Sequence, residues 1–475
     1  MKPPFSNASG MRRHFLRLGA AALVAGLLPL RLPSQLATQD SPSLSSTLLN
    51  AAQAGTGLRW QNWSGIVSCT PSAILTPSDE AEITKLMQSK PSSVRCVGSG
   101  HSFTPLVSTD TQMISLDRLA GVISHTADTV SVRGGTRLAQ LSRQLDERQL
   151  ALRNLPDIDM QTIAGAIATA THGTGLELPA LHADVIGMRL ITAQGEVLQC
   201  DETAPQLLAA AKVSLGCLGV VTQVNMRVLP RYNLQRRVWL RPLNELLNVA
   251  PELARKHRHF EFYYLPFTGY AAAITHDLYA GQDVAMPASA DEDMLRDLRR
   301  LRDWAGRFPD LRRWLASKLI DDTLEEKAKN RSFKLLSTAR PTKFNESECH
   351  VPRAHGIACV REVIAKLEQR NEVFFPLEFR FVKADDAWLS PFYLRDSCSI
   401  AVHAAEGEPY DYLVSEIGPI FRKYQGRPHW GKLHQFSSRE LAQLYPRWQD
   451  FLQLRSKLDP DGRLLNPHLK QLFGI

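Results

Sequence analysis

The chain has 475 residues, of which 44% are hydrophobic and 22% charged, a balance typical of a folded protein with two or three packed units. The net charge is +8, but residues 1–36 carry five basic and no acidic side chains, so the rest of the chain is only mildly basic. Without a dense run of Lys and Arg among aromatics, this composition argues against a nucleic-acid partner. The seven cysteines form no CxxC pair, so no metal site is predicted and most are expected to be buried free thiols.

The N-terminus has the features of an export signal. Arg12 and Arg13 precede an apolar run over residues 18–30, which at about 13 residues is short of the ~20 that span a bilayer. The pattern resembles a twin-arginine signal peptide over residues 1–36, followed by a linker over 37–57. It predicts a periplasmic or secreted protein with the twin-arginine export machinery as a partner. A basic, Ala-rich tail or a retained anchor is the alternative, and no later segment is apolar enough to predict a stable membrane span.

Residues 58–230 predict a first domain of α+β type with frequent glycine loops. Ser78 is expected to cap a helix whose first turn holds Asp79, Glu80 and Glu82. The other elements predicted in this domain are a helix at Thr136–Glu147 and strands at Val94–Val97, Met113–Leu116, Val122–Ile123, Val130–Val132, Val185–Thr192 and Val220–Leu229.

The character of the sequence changes near Pro230, and residues 231–425 are predicted to form a second domain. This domain combines strands at Phe260–Leu265 and Val373–Val382 with a charged helical stretch over Asp291–Lys329, which is interpreted as a solvated face. Residues 426–475 return to a Gly- and Pro-punctuated pattern and are predicted as a separate C-terminal segment.

A glycine loop at residues 97–103 is the first candidate for chemistry. Gly98 and Gly100 allow the backbone to approach a ligand closely and to point amide N–H groups at an anion such as a pyrophosphate. The loop lacks the third glycine of the Rossmann fingerprint, and Pro105 disfavours a long helix after it. Taken alone, such a loop is a weak signal, because most glycine loops are turns.

Two further stretches are rich in small residues. Residues 162–175 are dominated by Ala, Gly and Thr, so that a flat ring system can lie against their backbone. Residues 216–222 combine two glycines with the start of a strand, which again permits close approach of a ligand.

Together, and in this order, the three stretches resemble the FAD-binding domain of the vanillyl-alcohol oxidase superfamily, in particular its D-arabinono-1,4-lactone oxidase and alditol oxidase branch. The resemblance covers most of the chain from about Arg59. It implies an α+β fold with a two-part FAD-binding domain, an α+β substrate (cap) domain, and a C-terminal segment that returns to the flavin site. It implies FAD as cofactor, held by Gly98, Ser99, Gly100, His101, Ser102, Phe103, Pro156, Thr162, Gly165, His172, Gly173, Thr174, Gly175 and Val221.

The resemblance also implies a covalent bond between His101 and the flavin 8α-methyl group. A neutral imidazole nitrogen is a good nucleophile toward that group, and a tether would prevent loss of the cofactor after export. No cysteine stands in a motif for a second link, so a single bond is expected. The alternative is that His101 only packs beside the flavin. His172 is assigned a structural or cofactor-binding role.

Glu378 and Arg380 alternate along a predicted strand and therefore share one face. Two opposite charges on an otherwise apolar strand indicate either an ion pair at a domain interface or a functional site. The resemblance favours function, because the family's Glu-x-Arg pair faces the substrate. Lys432 lies in a segment at 427–432 that resembles the family's HWGK signature, and residues 458–466 resemble its closing segment. The predicted catalytic residues are Glu378, Arg380 and Lys432.

The implied reaction is oxidation of a CH–OH group of a sugar-1,4-lactone or an alditol by hydride transfer to flavin N5. Arg380 and Lys432 would stabilise the developing alkoxide, while Glu378 orients Arg380 and accepts from another substrate hydroxyl. Pro156 aligns with a position at which Gly or Pro is typical of oxidases, so oxygen is the expected acceptor. Asp157 departs from the serine common beside it, which leaves the choice of substrate open.

Two other functions remain alternatives. A periplasmic dehydrogenase would pass electrons from the same site to a quinone or cytochrome. A non-catalytic flavin- or carbohydrate-binding protein would keep the fold alone, although it would have no need of the intact Glu378, Arg380 and Lys432. His403, on a strand predicted at Ser399–Ala404, lies either near the substrate or in the core.

Overall fold

The computed structural model describes residues 58–287, 291–337 and 342–475. The predicted signal peptide and linker lie outside these residues. Within them, no helix has the length and apolar character needed to cross a membrane. All seven cysteines lie in the described part of the chain and are free thiols, five of them buried, as the sequence predicts.

The elements confirm the predicted α+β fold class. The strands are β1 (Trp60–Gln61), β2 (Ser68–Cys69), β3 (Ala73–Leu75), β4 (Val94–Val97), β5 (Gln112–Ser115), β6 (Val122–His125), β7 (Thr129–Arg133), β8 (Leu150–Ala151), β9 (Val185–Ile191), β10 (Val197–Asp201), β11 (Val220–Arg227), β12 (Leu229–Pro230), β13 (Asn233–Pro242), β14 (His259–Leu265), β15 (Tyr270–Tyr279), β16 (Glu325–Arg331), β17 (Phe344–Pro352), β18 (Leu377–Val382), β19 (Ser397–Ala405) and β20 (Arg427–Pro428). The α-helices are α1 (Glu80–Gln88), α2 (Leu138–Glu147), α3 (Ile163–Ala168), α4 (Pro205–Lys212), α5 (Leu243–Lys256), α6 (Asp291–Ala305), α7 (Pro309–Leu319), α8 (Ser332–Leu336), α9 (Gly356–Leu367), α10 (Tyr412–Ser415), α11 (Gly418–Lys423), α12 (Ser438–Leu444), α13 (Trp448–Leu458) and α14 (Pro467–Phe473).

The first part of the chain builds two sheets. Strands β3, β5 and β4 form a parallel sheet, and β10, β9, β11, β7 and β6 form an antiparallel one. The β4 strand is found at the predicted residues, because Val94 and Val97 are buried in the core of this part. It ends at Val97, and Gly98 follows directly, so the glycine loop lies at the carboxyl edge of the parallel sheet, where ligands commonly bind.

The second part is one antiparallel sheet in the order β16-β13-β15-β14-β18-β19-β17-β20. Its central strands β14, β18, β19 and β17 carry charged side chains in register, with Glu261 opposite Arg380 and Glu346 opposite His403. Charges that would be costly on separate buried strands are thereby brought within reach of one another.

The C-terminal segment closes back onto the first part, as the predicted fold class requires. The β20 strand extends the large sheet, and the backbone N–H of Val94 donates to Arg463 O at 2.8 Å. Asn466 caps α14 and also donates to Pro105 O at 2.7 Å, directly after the glycine loop.

Three local predictions are wrong. Asp79, not Ser78, caps α1, because its carboxylate accepts from the N–H of Glu82 at 2.9 Å. The helical stretch predicted to reach Lys329 ends earlier, and β16 follows, since its side chains form cross-strand ion pairs such as Arg236–Glu326. The strand predicted from Val373 begins four residues later, after Pro376, whose nitrogen has no hydrogen to donate to a ladder.

The interpretation of α6 and α7 as a solvated charged face is also wrong in part. Arg312 is fully buried and its guanidinium lies 4.2 Å above the Phe267 ring, while Arg302 forms an ion pair with Glu408. Several arginines of these helices therefore face inward, because carbonyl oxygens, a carboxylate and aromatic rings receive them there.

Candidate active site

Two cavities meet at the junction of the two parts. The polar cavity, of about 280 Å³, lies against the large sheet and is lined at its centre by Asp157, Glu261, Glu346, Glu378 and Arg380. The glycine-lined cavity, of about 130 Å³, lies in the first part and is lined by Gly98, Gly100, Gly134, Gly135, Gly165, Gly216 and Gly219. Gln161, His429 and Lys432 line both cavities, so the two spaces are neighbours across these side chains.

The glycine-lined cavity is walled by backbone, and side chains are excluded from parts of it by close contacts. A Cβ atom on Gly98 would lie 2.4 Å from Thr162 Oγ1, and one on Gly134 would lie 2.1 Å from Val221 O. Gly100 adopts φ +67°, a left-handed conformation that glycine adopts without strain. None of the described residues that line this cavity is acidic, and Arg95 and Lys432 are basic, so the space suits an elongated ligand with an anionic pyrophosphate.

His101 lies at the edge of the glycine-lined cavity with its ring stacked on Trp63 at 5.3 Å between centroids. Burial, with Lys432 and Arg137 nearby, lowers the pKa of His101 to about 4. The imidazole is therefore neutral at any pH well above 4, and a neutral ring nitrogen can act as a nucleophile.

Arg380 lies among three carboxylates in the polar cavity. Its Nη2 contacts Asp157 Oδ1 at 2.6 Å and also the Glu378 carboxylate, and its Nε donates to Glu261 Oε2 at 2.8 Å. Although burial opposes the charge, these carboxylates raise the pKa of Arg380 well above its usual value. The guanidinium is therefore a permanent, fixed cation in the cavity.

The surroundings of Glu378 favour its protonated form. Burial, with Asp157 and Glu261 close by, raises the pKa of Glu378 well above its usual range despite Arg380. The Tyr263 hydroxyl lies between the acids, donating to Asp157 Oδ2 at 2.6 Å and contacting Glu378. This cluster can hold a proton in reserve beside a fixed cation, an arrangement typical of sites that move protons.

Lys432 is fixed at the boundary of the two cavities. Its Nζ forms an ion pair with Glu346 and lies 5.0 Å above the Phe103 ring. The other oxygen of Glu346 lies 3.7 Å from His403 Nε2, while His403 Nδ1 donates to Pro376 O at 2.9 Å. His403 thus lines the cavity and is also anchored in the sheet, so it combines the two predicted alternatives, a place near the substrate and a place in the core.

His172 forms a buried pair with Glu348. The His172 Nδ1 donates to Gly173 O at 2.8 Å, and its Nε2 lies 3.1 Å from Glu348 Oε1. Burial opposes ionisation of Glu348, but His172, His429 and His350 together hold its pKa well below the usual range. The pair lines the polar cavity, and the structural or cofactor-binding role of His172 stays a prediction.

The predicted site residues separate into three groups. The glycine-lined cavity brings together Gly98, Ser99, Gly100, His101, Ser102, Thr162, Gly165 and Val221. The polar cavity contains Pro156, His172, Glu378 and Arg380, with Lys432 shared by both. Phe103, Gly173, Thr174 and Gly175 line neither cavity.

The stretch after His172 has a positioning role in the structure. A Cβ on Gly173 would lie 2.3 Å from Leu155 O, so the absence of a side chain at Gly173 allows the loop before Pro156 to pack closely against it. Thr174 Oγ1 donates to Phe260 O at 2.6 Å, and the N–H of Gly175 donates to Phe381 O at 2.8 Å. These contacts fix the strands that carry Glu261 and Arg380, whereas a direct role in cofactor binding stays a prediction.

Several residues of the polar cavity were not predicted from the sequence, among them Glu261, Tyr263, Glu346 and Glu348. A signal was present, because Glu346 and Glu348 alternate along β17 as Glu378 and Arg380 do along β18. That alternation identifies Glu346 and Glu348 as candidate site residues.

Two protein-family models match the chain. The model described as D-arabinono-1,4-lactone oxidase matches residues 224–472, and the model described as an FAD binding domain matches residues 71–201. The two matches include all the residues that line the polar cavity and most of those that line the glycine-lined cavity.

Comparison with known proteins agrees with these family matches. The chain is 36% identical to the L-gulono-1,4-lactone dehydrogenase of Mycobacterium tuberculosis over 87% of this chain and 99% of that protein. It is 30% identical to the L-gulonolactone oxidase of Bos taurus over 88% and 98% of the two chains. It is 26% identical to an alditol oxidase from Streptomyces over 87% and 98%. A cholesterol oxidase structure from B. sterolicum, 14% identical, has the same fold with a TM-score of 0.72 over 88% of this chain and 97% of that one.

Proposed function

Because the chain belongs to the D-arabinono-1,4-lactone oxidase family and contains an FAD binding domain, it is an FAD-dependent oxidoreductase, and we propose that it oxidises a CH–OH group of a sugar-1,4-lactone or an alditol. The observation that carries the proposal is the contact between the two cavities at Lys432. A substrate in the polar cavity would lie next to a cofactor in the glycine-lined cavity. FAD, when bound there, supplies the two-electron acceptor for the hydride that leaves the substrate carbon.

The charges of the polar cavity support a neutral, hydroxyl-rich substrate. Of the described residues that line it, seven are Asp or Glu and three are Arg or Lys. An excess of carboxylates accepts hydrogen bonds from hydroxyl groups and repels an anion such as a ring-opened aldonate. Lactones and alditols meet both conditions.

The chain's own residues would stabilise the reacting oxygen. Arg380 and Lys432 donate hydrogen bonds to the hydroxyl oxygen as it gains negative charge during loss of hydride. Glu378 and Tyr263 hold Arg380 and Asp157 in place, and an ionised carboxylate of this cluster can take up the hydroxyl proton.

We propose molecular oxygen as the electron acceptor. Pro156 lines the polar cavity at a position where Gly or Pro is typical of oxidases. A dehydrogenase that uses a quinone or cytochrome is the second candidate, favoured by the name of the 36% identical relative. Re-oxidation of the reduced enzyme in air, compared with that by oxidised cytochrome c or a soluble quinone under nitrogen, separates the two.

The substrate proposal is tested by mixing the purified protein with lactones and alditols under nitrogen while the flavin absorbance is recorded. Rapid bleaching by members of either class, and none by the matching aldonates, is the expected result. A flavin that stays oxidised with every lactone and alditol contradicts the proposal.

We also propose that the FAD is bound covalently to His101. Wild-type protein precipitated in acid should keep yellow, fluorescent flavin, whereas His101→Ala should lose all covalent flavin, because alanine has no nucleophilic nitrogen. His125→Ala, which removes an exposed histidine, is the control and should resemble wild type. Flavin that washes out of the wild-type precipitate would show that the bond does not form.

Export by the twin-arginine route remains a proposal based on Arg12 and Arg13. Fractionation of the source cells should place the protein in the periplasm or medium. Protein found only in the cytoplasm contradicts it.

A further inference from the structure

The hairpin formed by α6 and α7 presents large apolar side chains to solvent. Trp304 is 73% exposed, Phe308 62%, Trp314 57% and Leu311 38%. They occur at helical spacing around a tight turn, where the N–H of Phe308 donates to Ala305 O at 2.9 Å. Single exposed apolar residues are common on proteins, but four such neighbours on one hairpin are typical of a binding surface. We call these four residues the aromatic patch.

The inner side of the hairpin attaches it to the rest of the protein. Arg312 donates to Val373 O at 2.9 Å and Arg302 donates to Glu372 O at 2.9 Å, and both guanidinium groups lie above aromatic rings. Leu298 and Ala316 are buried beneath. The hairpin is thus attached to the body through these inward-facing residues.

Two exposed basic side chains flank the aromatic patch. Residues 304–318 include four basic residues and one acidic residue, but Arg312 is buried and faces inward. Arg307 and Lys318 are exposed, and Asp310, the acidic residue, forms an ion pair with Arg313. A surface with tryptophans at its centre and free Arg and Lys at its edge is complementary to an anionic lipid surface, into which the rings insert while the cations meet the headgroups.

We propose that the aromatic patch docks the protein, as a peripheral protein, on the surface of an anionic lipid bilayer. A second copy of the chain is a poorer occupant. In a twofold contact the same patch meets itself, so Arg307 and Lys318 of the two copies would approach one another. A bilayer covers the rings without this repulsion.

The docking would also orient the polar cavity. Glu292, near the start of α6, lines the cavity, and Trp304 lies near the end of the same helix. Twelve residues at 1.5 Å each place the two about 18 Å apart along the helix axis. The cavity would therefore lie close above the membrane surface.

The test uses purified holoenzyme and sedimentation with unilamellar vesicles. Phosphatidylcholine vesicles with added phosphatidylglycerol should bind the protein, and phosphatidylcholine alone should bind it much less. The double variant Trp304→Ser/Trp314→Ser should lose about tenfold in binding for each tryptophan, because burying a large apolar side chain changes an equilibrium by about that factor. Activity on soluble substrate serves as the control for folding and should stay at the wild-type value.

Two further variants sharpen the result. Leu278→Ser removes an equally exposed apolar side chain from β15, 65% exposed, and should leave vesicle binding unchanged. Arg307→Glu/Lys318→Glu should abolish the preference for phosphatidylglycerol and the sensitivity of binding to salt. The proposal is overturned if the wild type binds no vesicles, if the double tryptophan variant binds as well as wild type, or if wild type instead forms a dimer that this variant abolishes.

Discussion

Arg380→Lys is expected to lower kcat/KM by about 10²–10³-fold, the loss typical of removing one preorganised donor to a developing oxyanion. Lysine keeps the positive charge but cannot reach Asp157, Glu261 and Glu378 together through a planar fork. The measurement is the rate of flavin bleaching under nitrogen as a function of substrate concentration. Because the lost interaction forms as charge develops, the maximal rate should fall more than the apparent affinity.

Arg236→Lys is the matched control for this variant. Arg236 also lines the polar cavity and forms an ion pair, with Glu326 at 2.6 Å, but it lies away from the carboxylate cluster. It should cost only a few-fold in rate. If the two variants are equally impaired, the effect of Arg380 is a general loss of cavity structure and its proposed role is wrong. Flavin content and thermal unfolding, measured on both, identify such a loss directly.

The predictable part of the fold consists of elements whose cause is local. The β4 strand and the glycine loop after it are found at the predicted residues, because a short strand bounded by valines and followed by glycines is a signal contained in neighbouring residues. The predicted helix cap is wrong by one residue, since Ser78 and Asp79 are both good caps and only the geometry of the turn decides between them.

The unpredicted part depends on contacts between distant residues. The local sequence around Glu326 and Lys329 favours a helix, and these residues form a strand only because β16 pairs with β13. Likewise, no local signal places Glu261 beside Arg380, because 119 residues separate the two in the chain. The inward arginines of α6 and α7 show the same limit, because their carbonyl, carboxylate and aromatic partners come from other segments.

Lys432→Met should lower the maximal rate of substrate oxidation by about 10²-fold while the covalent flavin remains. The variant loses the donor to the reacting oxygen, which lowers the rate, and it leaves the buried Glu346 without its cation, which lowers the stability. Stopped-flow bleaching under nitrogen measures the first effect, and thermal unfolding measures the second. Lys383→Met, which removes an exposed lysine paired with Glu177, is the control and should change neither.

Covalent flavin is expected to survive this change because the low pKa of His101 has more than one cause. Burial is the largest, and Lys432 and Arg137 act in the same direction. Without Lys432 the pKa rises from about 4 toward its ordinary value, but burial still favours the neutral imidazole at pH 7, and the nucleophile persists. The acid-precipitated variant should therefore be as yellow as wild type. A colourless precipitate would mean that Lys432 is required for attachment itself, and its role would then belong to the glycine-lined cavity more than to the substrate.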